Sequence, residues 1–263
     1  MNTFEFSLAS DPGRVRENNE DSLAFDASTG VAVLADGMGG YNAGEIASAM
    51  AVTYIRAELA HWLQGDGKFA SDDEVRRSIA QCVERANLSI YNAAMGNPQF
   101  SGMGTTVVVA VFDVRRVVIA HVGDSRAYLL RDGRFVQLTR DHSLLQEQLD
   151  AGLLTPDQAK VATHKNLVTR AMGVEPDVQV DVQQHMVRDG DLFLLCSDGL
   201  SDMVDDNEIL AVLSGNNSLQ DRAQALIRQA NSAGGRDNIS ALLVQAKAKS
   251  ESAGFFARML RRP

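Results

Sequence analysis

The chain has 263 residues, with 25 basic and 34 acidic side chains and a formal net charge of −9 at pH 7. With 45% hydrophobic and 22% charged residues it has the make-up of a globular protein with a sizeable core, in one large domain or two small ones. An acidic surface repels a phosphate backbone, so nucleic acid is not an expected partner. Cys82 and Cys196 lie far apart and outside any Cys-x-x-Cys spacing, which argues against a disulfide framework. The N-terminus has neither a basic n-region nor an apolar h-region and no apolar run approaches 18 residues, so a cytoplasmic location without a membrane span is expected.

In chain order, a strand region comes first, and Asn42 with Glu45 three residues on predicts a capped helix to about Gln64. Ser71-Asp72-Asp73-Glu74 is a capping box for a second helix, whose Val75, Ile79, Cys82, Val83, Ala86 and Ile90 fall on one face. The period then changes. Thr105 to Phe112 and Val117 to Val122 are β-branched runs that predict a hairpin, and Arg131-Asp132-Gly133-Arg134 predicts a tight turn between two more strands. Residues 142–173 interrupt this rhythm with a short helical stretch, a Thr155-Pro156 cap and polar chain, an insertion expected to form a flap near a site. Strands are expected again at Val178–Val182 and Asp191–Cys196, then a helix opened by Ser218 and a last strand at Ile239–Val244. Continuous apolar strands need cover on both faces, which antiparallel sheets packed on each other with outer helices provide. No composition shift divides residues 1–246, so one domain and a tail are expected.

The informative pattern lies in the carboxylates. Val31–Ala35 runs into Asp36-Gly37-Met38-Gly39-Gly40, Val117–Val122 ends at Gly123-Asp124-Ser125, and Leu192–Cys196 ends at Ser197-Asp198-Gly199. Gly235-Arg236-Asp237-Asn238 lies just before a strand. Each Asp-Gly alone describes a turn. As a set, with Glu20 and Asp21, they place costly carboxylates at the edges of apolar strands, where a cation would compensate them. Oxygen-only donors suit Mg²⁺ or Mn²⁺ rather than Zn²⁺, since the five histidines are scattered in the sequence and no cysteine cluster exists. Arg16, close to that acidic pair, is able to grip a phosphoryl group, although on its own this segment reads as a solvated charged loop. Residues 37–42 fail the dinucleotide pattern at Asn42, no Walker lysine follows a glycine loop, and no G-x-S-x-G elbow occurs.

Six motifs in order carry a resemblance: Gly13-x-x-Arg16-x-x-Asn19-Glu20-Asp21, Ala35-Asp36-Gly37-Met38-Gly39-Gly40, Gly102-Met103-Gly104-Thr105-Thr106, Val122-Gly123-Asp124-Ser125-Arg126, Ser197-Asp198-Gly199-Leu200 and Gly235-x-Asp237-Asn238. Over about residues 4–246 the chain resembles the bacterial PP2C-type, metal-dependent serine/threonine protein phosphatases. The resemblance implies an α+β fold, a four-layer α-β-β-α sandwich of two mainly antiparallel sheets flanked by helices, with two Mn²⁺ or Mg²⁺ ions at one end. It implies that Asp36 bridges both ions, that the Gly37 carbonyl binds one, and that Asp198 and Asp237 hold the other. Asp21 is then an acidic contact, with Glu20 a weaker one. Asp124 joins Asp198 around a third, looser ion, Arg16 binds the phosphate, and Asn238 orients its neighbour. The implied reaction is hydrolysis of phosphoserine and phosphothreonine in proteins by metal-activated water, reversing a Ser/Thr kinase without a phosphoenzyme.

Met38 stands where many eukaryotic relatives carry a histidine, so the general acid is expected to be a metal-bound water. His142 and His164 are expected to be surface or capping residues. The alternative function is a catalytically silent, phosphoprotein-binding module of the same fold, which the complete carboxylate set disfavours. Residues 247–263 carry five basic side chains and one acid, and setting this +4 segment aside leaves −13 on residues 1–246. A flexible tail is expected there, with a membrane or partner contact as the sharper alternative. The chain is expected to be a monomer.

Overall fold

A computed structural model describes residues 3–40, 43–155, 158–159 and 167–247. Asn42, Pro156, His164 and the tail from residue 248 onward, all singled out above, lie outside the described residues. The chain forms strands β1 (Thr3–Asp11), β2 (Asp21–Asp26) and β3 (Val31–Met38), helices α1 (Ala43–Gln64) and α2 (Asp72–Gly96), and strands β4 (Gly104–Thr105), β5 (Val107–Asp113), β6 (Arg116–Val122), β7 (Arg126–Arg131) and β8 (Arg134–Gln137). Next come α3 (Leu144–Asp150), β9 (Asp181–Met186), β10 (Leu192–Cys196), α4 (Asp198–Ser201), α5 (Asp206–Leu213), α6 (Leu219–Ser232) and β11 (Ile239–Lys247).

Two sheets result, ordered β1-β11-β10-β7-β8 and β2-β3-β5-β6-β9, with β4 added to β3. Every strand pairing is antiparallel. The strands are apolar at nearly every position because each contributes to two cores. On β3 and β5, Val31, Val33, Val107 and Val109 face α1 and α2, meeting Ala47, Ile55, Ile79 and Ile90. The alternate residues, Ala32, Leu34, Val108 and Ala110, meet Leu129, Phe193, Leu195 and Leu242 of the other sheet. The outer face of that sheet packs Leu194, Cys196 and Leu243 on Ile209, Leu226 and Ile227 of α5 and α6. Three cores between four layers give the expected α-β-β-α sandwich.

Local signals explain most helix ends. The Ser71 capping box opens α2, with Glu74 accepting from the Ser71 amide at 2.7 Å, and Ser218 caps α6. The Thr155 hydroxyl accepts from Gln158 N at 3.3 Å.

Two expected strands differ. The run from Thr105 is broken at Thr106, whose amide leaves the ladder to bond the Asp36 carbonyl at 2.8 Å. The strand expected at Val178–Val182 begins at Asp181, opposite His121, and continues through Gln183, Gln184 and His185. Val178 and Val180 are partly buried against the α1–α2 core, so their alternation marks packing, whereas the ladder takes in only Val182 of the three valines and continues on polar residues.

Candidate metal centre

The strand ends bring five aspartates to one end of the sandwich. Asp21 opens β2 directly opposite Asp36 in the β2–β3 register. Asp124 lies between β6 and β7, Asp198 is the first residue of α4 after β10, and Asp237 precedes β11. Burial pushes the Asp36 carboxyl well above its usual range, and the charges acting most strongly on it are Asp21, Asp198, Asp124 and Asp237. Asp198 is raised by burial and then by Asp124, Asp202, Asp237 and Asp21. Burial lifts Asp21 to about 6 against the hydrogen bonds of Ser240 and Ser197, and lifts Asp124 to about 6 with the help of Asp141. Arg126, beside Asp124, is committed to Asp141 through three hydrogen bonds of 2.7–3.1 Å.

Asp21 supplies the sharpest test of fit. Its Oδ2 accepts from Ser197 Oγ at 2.7 Å, while its buried Oδ1 has no hydrogen-bond partner among the described residues. An unpartnered buried carboxylate oxygen among four other acids calls for a cation. The donor set is all oxygen, as Mg²⁺ and Mn²⁺ require, so these residues fit a divalent centre.

The surrounding motif residues hold this arrangement. Asp36 is fixed through its backbone: its amide donates to Thr106 Oγ1 at 3.0 Å, and its carbonyl accepts from Thr105 Oγ1 at 2.9 Å. Gly37 has no room for a side chain, since a Cβ there would lie 2.1 Å from the Gly44 carbonyl oxygen at the start of α1. Gly199 is the same case, with a Cβ falling 2.0 Å from the Asn238 carbonyl oxygen. These glycines let neighbouring backbones close around the acids. Asn238 Oδ1 accepts from Glu20 N at 2.7 Å, and its Nδ2 donates to the carbonyls of Asn18 (2.8 Å) and Pro12 (3.0 Å). It thereby ties down the segment bearing Arg16 and Glu20. Glu20 accepts from the Gly44 amide and is raised by burial, an effect opposed by Arg16. Arg16 lies at the exposed rim and donates from Nη2 to Asp237 Oδ2 at 2.8 Å.

A second cluster corrects two expectations. His121 and His142 are not scattered: their rings stack with centroids 4.6 Å apart, and with Asp181 they offer ligand atoms within 4.8 Å of one another. His142 is not a surface residue but 8% exposed. Its Nδ1 accepts from the Gly123 amide at 3.1 Å, so Nε2 carries the ring proton and donates to Asp181 Oδ2 at 3.2 Å. Arg170 Nη1 lies 3.1 Å from that Nε2 and 3.0 Å from Asp181 Oδ1, so a guanidinium already sits against two of the three residues. Burial lowers the pKa of both histidines. The cluster ties the 142–173 segment, through His142 at one end and Arg170 at the other, to the loop bearing Asp124.

A further anchor of this segment is a residue to which the sequence pattern assigned no role. Asn87, fully buried on α2, accepts from Gly173 N at 2.7 Å and donates to the carbonyls of Glu175 and Pro176 at 3.0 Å each. Met172 pairs with Thr105, the residue that bonds the Asp36 carbonyl. Met38 packs at this base, its Cε 2.8 Å from where a Cβ on Gly104 would lie. Burial pushes Cys82 and Cys196 up to about 12, which leaves both as inert thiols.

Comparison with known proteins identifies the family. The family model described as protein phosphatase 2C matches residues 14–244. Protein phosphatase PhpP of Streptococcus pneumoniae is 39% identical over 92% of this chain and 97% of its own. The serine/threonine phosphatase stp of Listeria welshimeri is 39% identical over 89% of this chain and 93% of its own. Among solved structures, the Mycobacterium tuberculosis serine/threonine phosphatase PstP/Ppp superposes with a TM-score of 0.85 at 36% identity, covering 94% of this chain and 100% of that one. The catalytic domain of PstP in complex with two manganese ions gives 0.82 at 36% identity, with the same coverage. The chain belongs to the protein phosphatase 2C family. No helix among the described residues is long and apolar enough to cross a membrane.

Proposed function

We propose that this protein serine/threonine phosphatase holds two divalent ions, Mn²⁺ or Mg²⁺, through Asp36, the Gly37 carbonyl, Asp198 and Asp237. Asp21 stands beside them, and Asp124 with Asp198 offers a third, looser position. The substrates are phosphoserine and phosphothreonine in proteins modified by a Ser/Thr kinase. Residues 1–246 act as one phosphatase domain, in a monomeric cytoplasmic protein. The observation that carries the reading is that strand ends bring Asp21, directly opposite Asp36, together with Asp124, Asp198 and Asp237 at one end of the sandwich.

Bound ions supply acidified water as the nucleophile and countercharge for the phosphoryl oxygens. The chain's own residues do the rest. Arg16 spends one N–H on Asp237 and has further donors for the phosphoryl oxygens, a fork suited to a tetrahedral anion. Thr105, Thr106 and Ser197 fix Asp36 and Asp21, so little reorganisation is needed as charge develops. Asn238 keeps Arg16 and Glu20 at the rim by holding the backbone on either side of Arg16. No thiol takes part, because both cysteines are buried and protonated.

The test is hydrolysis of a phosphothreonine peptide and an aryl phosphate with Mn²⁺, with chelator, and by Asp36→Asn. Turnover of both substrates with Mn²⁺, lost in the other two conditions, is expected. Activity that survives chelator and Asp36→Asn contradicts the reading, and a folded, Mn²⁺-loaded protein with no turnover favours a silent binding module.

A further inference from the structure

Both sheets have a free edge beside the acidic cluster: among the described residues, β1 pairs only with β11 and β2 only with β3. A groove of about 590 Å³ runs along these edges, from Asn19 and Asp21 down β2 to Phe25, with β1 on one side and α1 on the other. Small side chains, Ser10 on β1, Ser22 and Ala24 on β2, Ala49 and Thr53 on α1, leave room between the larger Leu8, Leu23 and Phe25. A free strand edge presents unpaired backbone donors and acceptors, a template for an extended peptide. At the far end, Arg56 is half-buried and makes no hydrogen bond or ion pair among the described residues, in a chain of net charge −9.

We propose that this groove receives the substrate polypeptide: a segment flanking the phosphorylated residue lies extended along β2, and an Asp or Glu in it pairs with Arg56. The inference rests on the phosphatase reading, because Asp21 belongs to both the acidic cluster and the groove. Element geometry sets the spacing. Asp21 to Phe25 spans about 13 Å of strand, and Gly44 to Arg56 about 18 Å of helix. An extended peptide advances about 3.3 Å per residue, so the acidic residue falls about four to five positions from the phosphoresidue. The chain's own residues 248–263 do not suit the groove, since four basic side chains and one acid give them the same sign as Arg56.

The test uses full-length protein with Mn²⁺ and two series of phosphothreonine peptides. Glu, Ala or Lys is placed four or five positions from the phosphoresidue, N-terminal to it in one series and C-terminal in the other. On one flank, Glu should raise kcat/KM over Lys about threefold to tenfold, the range of a partly screened ion pair. Arg56→Glu should invert that preference without changing aryl phosphate hydrolysis. Ala49→Trp, which fills the groove, should raise KM for the long peptides and leave kcat and aryl phosphate hydrolysis unchanged. Equal kcat/KM for Glu and Lys on both flanks, a preference unmoved by Arg56→Glu, or an unmoved KM in Ala49→Trp overturns the proposal. Fluorescence anisotropy of the labelled peptides reads the same preference without turnover. A failure of the phosphatase reading, seen as no aryl phosphate hydrolysis, is thus distinct from a failure of the groove.

Discussion

Two clusters of ionisable side chains lie three residues apart on the chain, at Asp124 and His121, and they are built on opposite principles. Around His121, the Asp181 carboxylate is matched by the Arg170 guanidinium, and buried imidazoles stay neutral, so charge is balanced from within. Around Asp36, aspartate faces aspartate and their carboxyls are pushed up, with no cation among them in the described residues, beyond Arg16 at the rim, to match the charge. Proximity of ligand atoms alone would favour the histidine cluster as a metal site. Charge balance favours the aspartates, because a site that awaits a cation is one whose own charges do not cancel.

The comparison breaks most visibly at Asp36. Asp36→Asn should lower phosphatase turnover at least about 100-fold, since even outer-shell partners of a metal are worth about 10–100-fold. The same substitution should stabilise the metal-free protein. A carboxyl whose pKa is raised on folding contributes stability that is fully present below its unfolded value and lost as pH rises through its folded one. At pH 7.5 in chelator the buried Asp36 carboxyl is therefore a burden to folding, and its removal should raise Tm, by about 2–4 °C per kcal/mol for a chain of this size. Saturating Mn²⁺ should reverse the order of the two melting temperatures. If the wild type melts higher with chelator as well as with Mn²⁺, the crowding of charge has been misjudged.

Next in size is Asn87. Asn87→Ala leaves the buried Gly173 amide and two carbonyls without their partner, at about 1–3 kcal/mol for an unsatisfied group. Urea unfolding should show the loss, and hydrogen exchange should place it at Gly173. The smallest effect belongs to the balanced cluster. His121 and His142 have pKa values lowered by burial, so they favour the folded state above the unfolded value near 6.5 and lose that contribution as pH falls below it. His142→Asn retains an acceptor for the Gly123 amide and should flatten the fall in Tm between pH 6.5 and 5 relative to wild type. An unchanged slope would mean that His142 titrates as an exposed histidine does.

Most of the layers were legible in the sequence, because period and capping are local. The Ser71 box, the Ser218 cap and the face of α6 followed from residues within a turn of one another. The strands were legible as continuous apolar runs, and their double burial implied two packed sheets. The acids were legible through repetition, as apolar runs leading to Asp beside Gly. What the glycines do was not: Gly37 and Gly199 admit the Gly44 and Asn238 backbones, contacts between segments distant in the chain. Non-local pairing also hid the stacking of His121 on His142 and the bonds of Asn87. Asn87 is polar on an otherwise apolar helical face, and that mismatch was the one local sign that something there needed a partner.

The central claim is that the aspartates, and not the histidines, hold the metal. Calorimetric titration of Mn²⁺ into metal-free wild type, Asp36→Asn and His142→Asn tests it most directly. Two tight sites should be present in wild type, persist in His142→Asn and be lost in Asp36→Asn. Binding that survives Asp36→Asn but disappears in His142→Asn would contradict the account.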